Sequence, residues 1–215
     1  MRTVHLALYD TLADWEYGYV AAGINNPEFQ RDPGSIRIVT VSADGQPATT
    51  VGGLRVTPDA ALTDISPADS AMLVLPGAFT WGGDGNSEFI DAARRWVSAG
   101  VPVAGICGAT IGLANAGLLD DRRHTSNAPE QLSHTGYAGA DNYVDVPAIT
   151  DRNVITAAAV APVDFAREVF AALDVYPPEV LDAWYLLYGK QDPSGFYTLV
   201  AQQDGGSAAE SPATA

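Results

Sequence analysis

The residue best suited to covalent chemistry in this chain is its only cysteine, Cys107. It lies in "GICGA" (105–109), which approximates the Gly-X-nucleophile-X-Gly turn between a strand and a helix in hydrolases. Small neighbours permit a sharp turn, and the amides that open the following helix would face developing negative charge. Ala109 replaces the last glycine of that pattern. The turn favours a nucleophilic cysteine over the alternative, an inert buried thiol.

A nucleophilic role for Cys107 requires an activating group, because a thiol of pKa about 8.5 is mostly protonated at neutral pH. Glu16 in "DWEYGY" and His124 in "RRHTSN" are the candidates. A protonated, buried Glu16 would lower the thiol pKa by donating a hydrogen bond, whereas an ionised one would raise it. We therefore predict a neutral Glu16, the alternative being a solvent-facing carboxylate in a helix first turn. His5, inside a strand, and His134, in a polar loop, are predicted to be structural or solvated.

The elements that would position these side chains follow from four short β-branched runs. They cover residues 3–9, 36–42, 71–77 and 101–107. Segments long enough for helices separate them, which predicts a mostly parallel sheet. Cys107 then lies beyond the carboxyl end of a strand, where open α/β sheets bind their ligands.

The apolar stretch 101–119 approaches the length of about 20 residues that a membrane-spanning helix needs. Pro102, Asn115 and interspersed glycines interrupt it. A buried strand followed by a closely packed helix fits this composition better. We expect no association with a membrane.

Periodic apolar residues predict helices over 89–97 and, after Pro162, over 165–173. The segment "LDAWYLLYG" (181–189) predicts a further apolar helix, and an exposed face on it would be a candidate dimer contact. Trp15 and Trp81 are candidates to line a small apolar pocket.

Turn-forming residues predict antiparallel hairpins at the sheet edge, around Gly52 and Gly53 and around 151–153. The small, polar segment 201–215 predicts a disordered tail. Residues 1–200 are therefore predicted to form a single domain.

The chain has 11 basic and 26 acidic residues and a formal net charge of -15, so we expect neither nucleic acid nor anionic lipid as a partner. Its only lysine, Lys190, does not follow a phosphate-binding glycine pattern. A single cysteine excludes an intrachain disulfide and a cysteine-rich zinc site. The start of the chain reaches charge too early for a secretory signal. We expect a cytoplasmic protein with no metal and no cofactor.

The segments "LVLPGA" (73–78) and "AGICGA" (104–109), with "DWE" (14–16) after the first strand, resemble the DJ-1/PfpI superfamily of class I glutamine-amidotransferase-like proteins. The resemblance covers about residues 3–175 and is strongest to the YdeA-like bacterial subgroup. It implies an α/β, flavodoxin-like three-layer sandwich with a mostly parallel central sheet and helices on both faces. It also implies a homodimer.

The resemblance assigns roles to single residues. Cys107 would be the nucleophile, hydrogen-bonded to a protonated Glu16. The implied oxyanion site uses the backbone amides of Gly77, Ala78 and Gly108. Ala78 stands where the family usually has a second glycine, and it keeps the backbone donor.

Many members of this family carry a histidine where "DRRHTSN", aligned on its arginines, has Asn127, and His124 comes earlier. His124 and Asn127 lie on opposite faces of an extended segment. They cannot both face the sulfur of Cys107 without a bend, and the sequence leaves open which of them does.

The resemblance implies a cysteine-dependent enzyme that acts on a small-molecule electrophile by hydrolase, hydratase or glyoxalase-type chemistry. Cys107 would attack the electrophile and Glu16 would carry the proton. Two alternatives stay open. The protein could sense or resist oxidants through oxidation of Cys107, or it could be a binding module that has kept the fold and lost catalysis.

Overall fold

The four strands predicted from β-branched runs lie side by side in the structure, a computed structural model that describes residues 1–82 and 85–209. The strands are β1 (Arg2–Leu8), β2 (Ile36–Ser42), β3 (Ala48–Thr49), β4 (Arg55–Val56), β5 (Ala60–Ala61), β6 (Met72–Leu75), β7 (Val103–Ile106), β8 (Ala148–Asp151) and β9 (Val154–Ala157). A seven-stranded sheet has the order β5-β2-β1-β6-β7-β9-β8. Its pairings are parallel except for β8 with β9, so the predicted mostly parallel sheet is confirmed.

Helices cover both faces of this sheet, as predicted. They are α1 (Asp14–Asn25), α2 (Ser87–Ser98), α3 (Gly108–Asn115), α4 (Pro129–Ser133), α5 (Pro162–Ala172), α6 (Pro178–Lys190) and α7 (Ser194–Ala209). One core cluster joins α1, α5 and α6 to the sheet, and the other joins α2 and α3 to its opposite face. The helices predicted over 89–97, 165–173 and 181–189 correspond to α2, α5 and α6.

The apolar stretch 101–119 forms β7 and α3, joined at Cys107. None of the helices in the described ranges is long and apolar enough to cross a membrane. Trp81 is 2% exposed and belongs to the core under α3, so it does not line a pocket.

Both predicted hairpins are present, but only one lies on the edge of the main sheet. Strands β8 and β9 form that edge hairpin, whereas β3 and β4 form a two-stranded sheet of their own. The β3–β4 hairpin packs against the segment before α1, because the Val51 N–H donates to the Leu12 carbonyl and the Gly52 N–H to the Asp14 carboxylate. The predicted disordered tail, 201–215, coincides with the end of α7 as far as Ala209, and residues 210–215 lie outside the described residues.

Candidate active site

Cys107 lies in a sharp turn between β7 and α3. Its backbone has φ 58° and ψ -123°, a conformation that non-glycine residues rarely adopt. Neighbouring bonds hold it there. The Cys107 N–H donates to the Ala157 carbonyl at 3.0 Å, and the Thr110 hydroxyl donates to the Cys107 carbonyl at 2.6 Å. The Ser126 hydroxyl lies 2.7 Å from that of Thr110 and supports it from the adjacent segment.

This strained backbone predicts an unusual order of stability for two variants. A left-handed φ costs a non-glycine residue roughly 1–3 kcal/mol. We therefore expect Cys107→Gly to be more stable than Cys107→Ala by about 1 kcal/mol, after allowing for the greater entropy of glycine in the unfolded chain. Urea denaturation of the two purified variants measures the difference, and both lack the sulfur. Equal stabilities would mean that the turn is not strained.

Glu16 lies in the first turn of α1 and is only 1% exposed. Its Oε2 accepts a hydrogen bond from the Gly77 N–H at 2.5 Å, and its Oε1 has no hydrogen-bond partner among the described residues. The carboxyl and Cys107 border the same space above Gly77. A methyl group added to Gly77 would come within 2.6 Å of Glu16 Oε2 and 3.0 Å of Cys107 Sγ. The predicted pairing of Glu16 with Cys107 therefore has a geometric basis, and Glu16 is buried rather than solvent-facing.

Burial governs the protonation of this pair. It raises the pKa of Glu16 to about 7, against the opposing effects of the Gly77 N–H and of Cys107. Burial also raises the pKa of Cys107, and both the charge of Glu16 and its hydrogen bond with the thiol raise it further, whereas hydrogen bonds from Asn127 and the Gly108 N–H lower it. The net direction is upward, so the expected lowering of the thiol pKa by Glu16 is not seen. Glu16 is therefore neutral over much of the range in which an ordinary glutamate is ionised.

Asn127 is the polar side chain that faces the sulfur. Its Nδ2 donates to Cys107 Sγ at 3.4 Å, and its Oδ1 accepts a hydrogen bond from the Ala159 N–H at 2.8 Å. The second bond fixes the orientation of the amide, since a carbonyl oxygen and not an NH₂ group must face the Ala159 donor. Asn127 is thus a neutral donor to the sulfur, and it cannot act as a base.

His124 does not join this group. It is fully buried, its Nδ1 lies 2.8 Å from the Arg122 carbonyl, and its ring packs edge-on against Tyr137 and Tyr143. Burial lowers its pKa and so favours the neutral ring. No described contact joins it to Cys107. The extended segment thus directs Asn127 to the sulfur and His124 to the core, so the structure does not bring the predicted His124 to Cys107.

Of the three predicted oxyanion donors, one is already occupied in the structure. The Gly77 N–H is occupied by the Glu16 carboxyl and is not free for a substrate. The Gly108 N–H lowers the pKa of the Cys107 thiol, and the Ala78 N–H donates to no described residue. The two turns are close, because a methyl group on Gly108 would lie 3.2 Å from the Ala78 oxygen. Ala78 and Gly108 therefore remain as candidate oxyanion donors. Within residues 1–82 and 85–209, no group of His, Cys, Asp and Glu side chains has a metal-binding arrangement.

Sequence reasoning missed the residues whose hydrogen bonds support the backbone turns of the site. Besides Thr110 and Ser126, these include Thr11, which has φ 62° and accepts a hydrogen bond from the Phe79 N–H at 3.0 Å. That bond fixes the turn that follows Gly77 and Ala78. The available signal was the presence of short polar residues in otherwise apolar turns, which by itself does not identify their partners.

The chain matches the model of the DJ-1/PfpI family over residues 2–172. It is 39% identical over 202 residues to a Bacillus subtilis protein named uncharacterized protease YoaZ, covering 93% of this chain and 96% of that one. It is 30% identical over 183 residues to uncharacterized protease YdeA of the same organism, covering 85% and 88% of the two chains.

Solved structures show the same similarity. A ThiJ/PfpI family protein from Bacillus anthracis superposes with a TM-score of 0.87 at 37% identity, covering 94% of this chain and 97% of that one. A DJ-1 superfamily protein from Agrobacterium tumefaciens superposes with a TM-score of 0.79 at 34% identity, covering 89% and 100%. The predicted flavodoxin-like architecture is thereby confirmed.

Proposed function

Because the chain belongs to the DJ-1/PfpI family, we propose that it is a cysteine-dependent enzyme acting on a small electrophile. The observation that carries this proposal is the convergence of two groups on the sulfur of Cys107: the buried carboxyl of Glu16, which shares the space above Gly77 with the sulfur, and the amide of Asn127. A nucleophile, a group able to carry a proton near neutral pH and a fixed donor form the minimum set for covalent catalysis.

For an acyl substrate the steps balance with these residues alone. The Cys107 thiolate attacks the carbonyl carbon, and the N–H groups of Ala78 and Gly108 stabilise the negative oxygen that forms. Glu16 then gives its proton to the leaving group, and the acyl group remains bound to sulfur. Water attacks this thioester while the Glu16 carboxylate takes a proton from it, which releases the acid and restores both residues. A pKa near 7 allows one carboxyl to serve in both half-reactions.

Among the reactions considered, hydrolysis is favoured by the names of the two relatives described above, both uncharacterized proteases. Hydration of an isonitrile or conversion of an aldehyde would use the same nucleophile and the same proton carrier. The proposal therefore concerns the covalent intermediate on Cys107, which these reactions share.

A panel of small amides, esters, aldehydes and isonitriles tests the proposal. We expect turnover of at least one class, a covalent adduct of Cys107 by mass spectrometry, and loss of both in Cys107→Ser. The matched variant His124→Phe keeps an aromatic ring in the core and is expected to retain turnover. Turnover that survives in Cys107→Ser would refute the mechanism. Stoichiometric sulfinate at Cys107 without turnover would favour the oxidation alternative, and an inert thiol would favour a binding module.

The proposal includes a cytoplasmic location, which suits a single free thiol, and a homodimer. Helix α6, the predicted dimer contact, buries Val180, Leu181, Ala183 and Trp184 within the protomer, and Tyr188 is its exposed large aromatic residue. Sedimentation velocity of the full chain should give twice the monomer mass. A monomer at micromolar concentration would remove the dimer from the proposal.

A further inference from the structure

We propose that the entrance of the Cys107 site selects an uncharged electrophile that carries an apolar group, and that Trp15, Phe79 and Val160 determine this selectivity. The inference rests on the proposed function, because it names the class of molecule that reaches Cys107. We refer to these three side chains as the apolar rim.

Each member of the apolar rim adjoins a residue of the site on a separate element. Trp15 precedes Glu16 in α1, Phe79 follows Ala78 after β6, and Val160 follows Ala159, whose N–H holds Asn127.

The three side chains are 53%, 79% and 92% exposed, respectively. The parallel strands β1, β6, β7 and β9 bring these elements to the same edge of the sheet as Cys107, the edge where such sheets bind ligands. Their places beside residues of the site make these exposed apolar side chains the candidates to contact a ligand that reaches Cys107.

The polar groups at the site carry no positive charge. The sulfur of Cys107 receives a hydrogen bond from the neutral amide of Asn127, and the Glu16 carboxyl receives one from the Gly77 N–H. Among the described residues, no arginine, lysine or histidine contributes to these contacts or to the pKa shifts of Cys107 and Glu16.

An anionic substrate would therefore meet a thiolate and a carboxyl group without a counter-charge. The net charge of -15 adds long-range repulsion. A cationic group would have to lose its hydration beside the apolar rim, which is costly. The site therefore favours an uncharged substrate.

Iodoacetamide and iodoacetate test the charge selectivity, since they react alike and differ in charge. In each case the thiolate forms a bond to carbon and iodide leaves. We expect the ratio of the two rates at Cys107 to exceed the same ratio for N-acetylcysteine amide by about tenfold at low salt, a factor typical of electrostatic steering. Added salt should reduce the part of this difference that comes from distant charges.

N-ethylmaleimide and N-phenylmaleimide test the apolar rim. The thiolate adds to the double bond of either reagent, and the adjacent carbon takes up a proton. Relative to the model thiol, we expect a preference of about threefold to tenfold for the phenyl reagent, given the apolar area that its ring buries. Trp15→Ala, Phe79→Ala and Val160→Ala should each reduce it. Phe196→Ala, which removes an aromatic side chain of similar exposure on α7, should leave it unchanged.

The outcomes separate this inference from the proposed function. If Cys107 reacts with none of the four reagents, both are overturned. If it reacts without charge selectivity and without the phenyl preference, the inference alone is overturned. If the rim variants lose the dimer in sedimentation but keep the reagent preferences, the apolar rim is an interface between copies of the chain, and the inference is again overturned.

Discussion

Glu16→Gln should abolish a levelling of the alkylation rate of Cys107 that we expect near pH 7 in the wild-type protein. Burial raises the pKa of Glu16 to about 7, so the Glu16–Cys107 pair loses its first proton across that pH. The reactive form, a thiolate beside a neutral carboxyl, belongs to the pair that retains one proton. Its population therefore rises up to pH 7 and then levels off, whichever atom holds the remaining proton for most of the time.

The glutamine variant has no carboxyl proton to release, so its profile should follow the thiol alone. Burial raises the pKa of that thiol, which moves the rise above about pH 8.5. Its iodoacetamide rate should therefore keep rising by about tenfold per pH unit between pH 7 and pH 8, where the wild-type rate levels off.

Asn127→Ala is the control for this prediction, because it removes a neutral donor to the sulfur and leaves the proton carrier in place. Its rate should fall at every pH by about tenfold, the value of a hydrogen bond to a charged group, with the midpoint still near pH 7. A wild-type rate that does not level off near pH 7, or a levelling that persists in Glu16→Gln, would mean that Glu16 and Cys107 do not share a proton.

The pH dependence of the unfolding free energy provides a second measurement of how tightly Glu16 holds its proton. The pKa of Glu16 is raised from 4.5 in the unfolded chain to about 7 in the folded one, so the folded protein binds this proton more tightly. Its stabilising contribution is complete below the unfolded pKa and is lost as the pH rises through the folded pKa. Relative to Glu16→Gln, the wild type should lose about 3 kcal/mol of unfolding free energy between pH 4.5 and pH 7. Urea titrations at a series of pH values measure it.

Local sequence pattern predicts the parts of this fold that depend on local chemistry. The β-branched runs identify the four central strands, and periodic apolar residues identify α2 and α5. Because parallel strands end at one edge, the pattern also brings the residue after β7, Cys107, near the residue after β1 that proves to be Glu16. This much of the site follows from the chain alone.

The remainder depends on contacts between distant segments. His124 and Asn127 lie in one extended segment, and groups from other segments give them different surroundings. Tyr137 and Tyr143 pack against the histidine, while the Ala159 N–H orients the amide of Asn127. Gly77 was predicted to donate to a substrate. Its N–H instead serves a carboxyl 61 positions away in the chain, and no local pattern encodes that partner.

Gly77→Ala should disrupt the site more than any other single methyl group, because Gly77 lies where Glu16 and Cys107 meet. The new Cβ would come within 2.6 Å of Glu16 Oε2 and 2.7 Å of Cys107 Cβ. The carboxyl can move, but Cys107 Cβ is attached to a backbone held in a strained turn. We expect the levelling of the alkylation rate near pH 7 to be lost, since the pair is separated, and stability to fall by about 1–3 kcal/mol from overpacking.

Gly18→Ala is the matched control, since it places the same methyl group in α1, two residues from Glu16, with no atom within 4 Å. Alanine in a helix interior is favoured over glycine by roughly 0.5–1 kcal/mol, so this variant should gain stability and keep the wild-type alkylation profile. If Gly77→Ala also kept that profile, Glu16 and Cys107 would not need to meet over Gly77. That result would refute a mechanism in which the two residues share a proton.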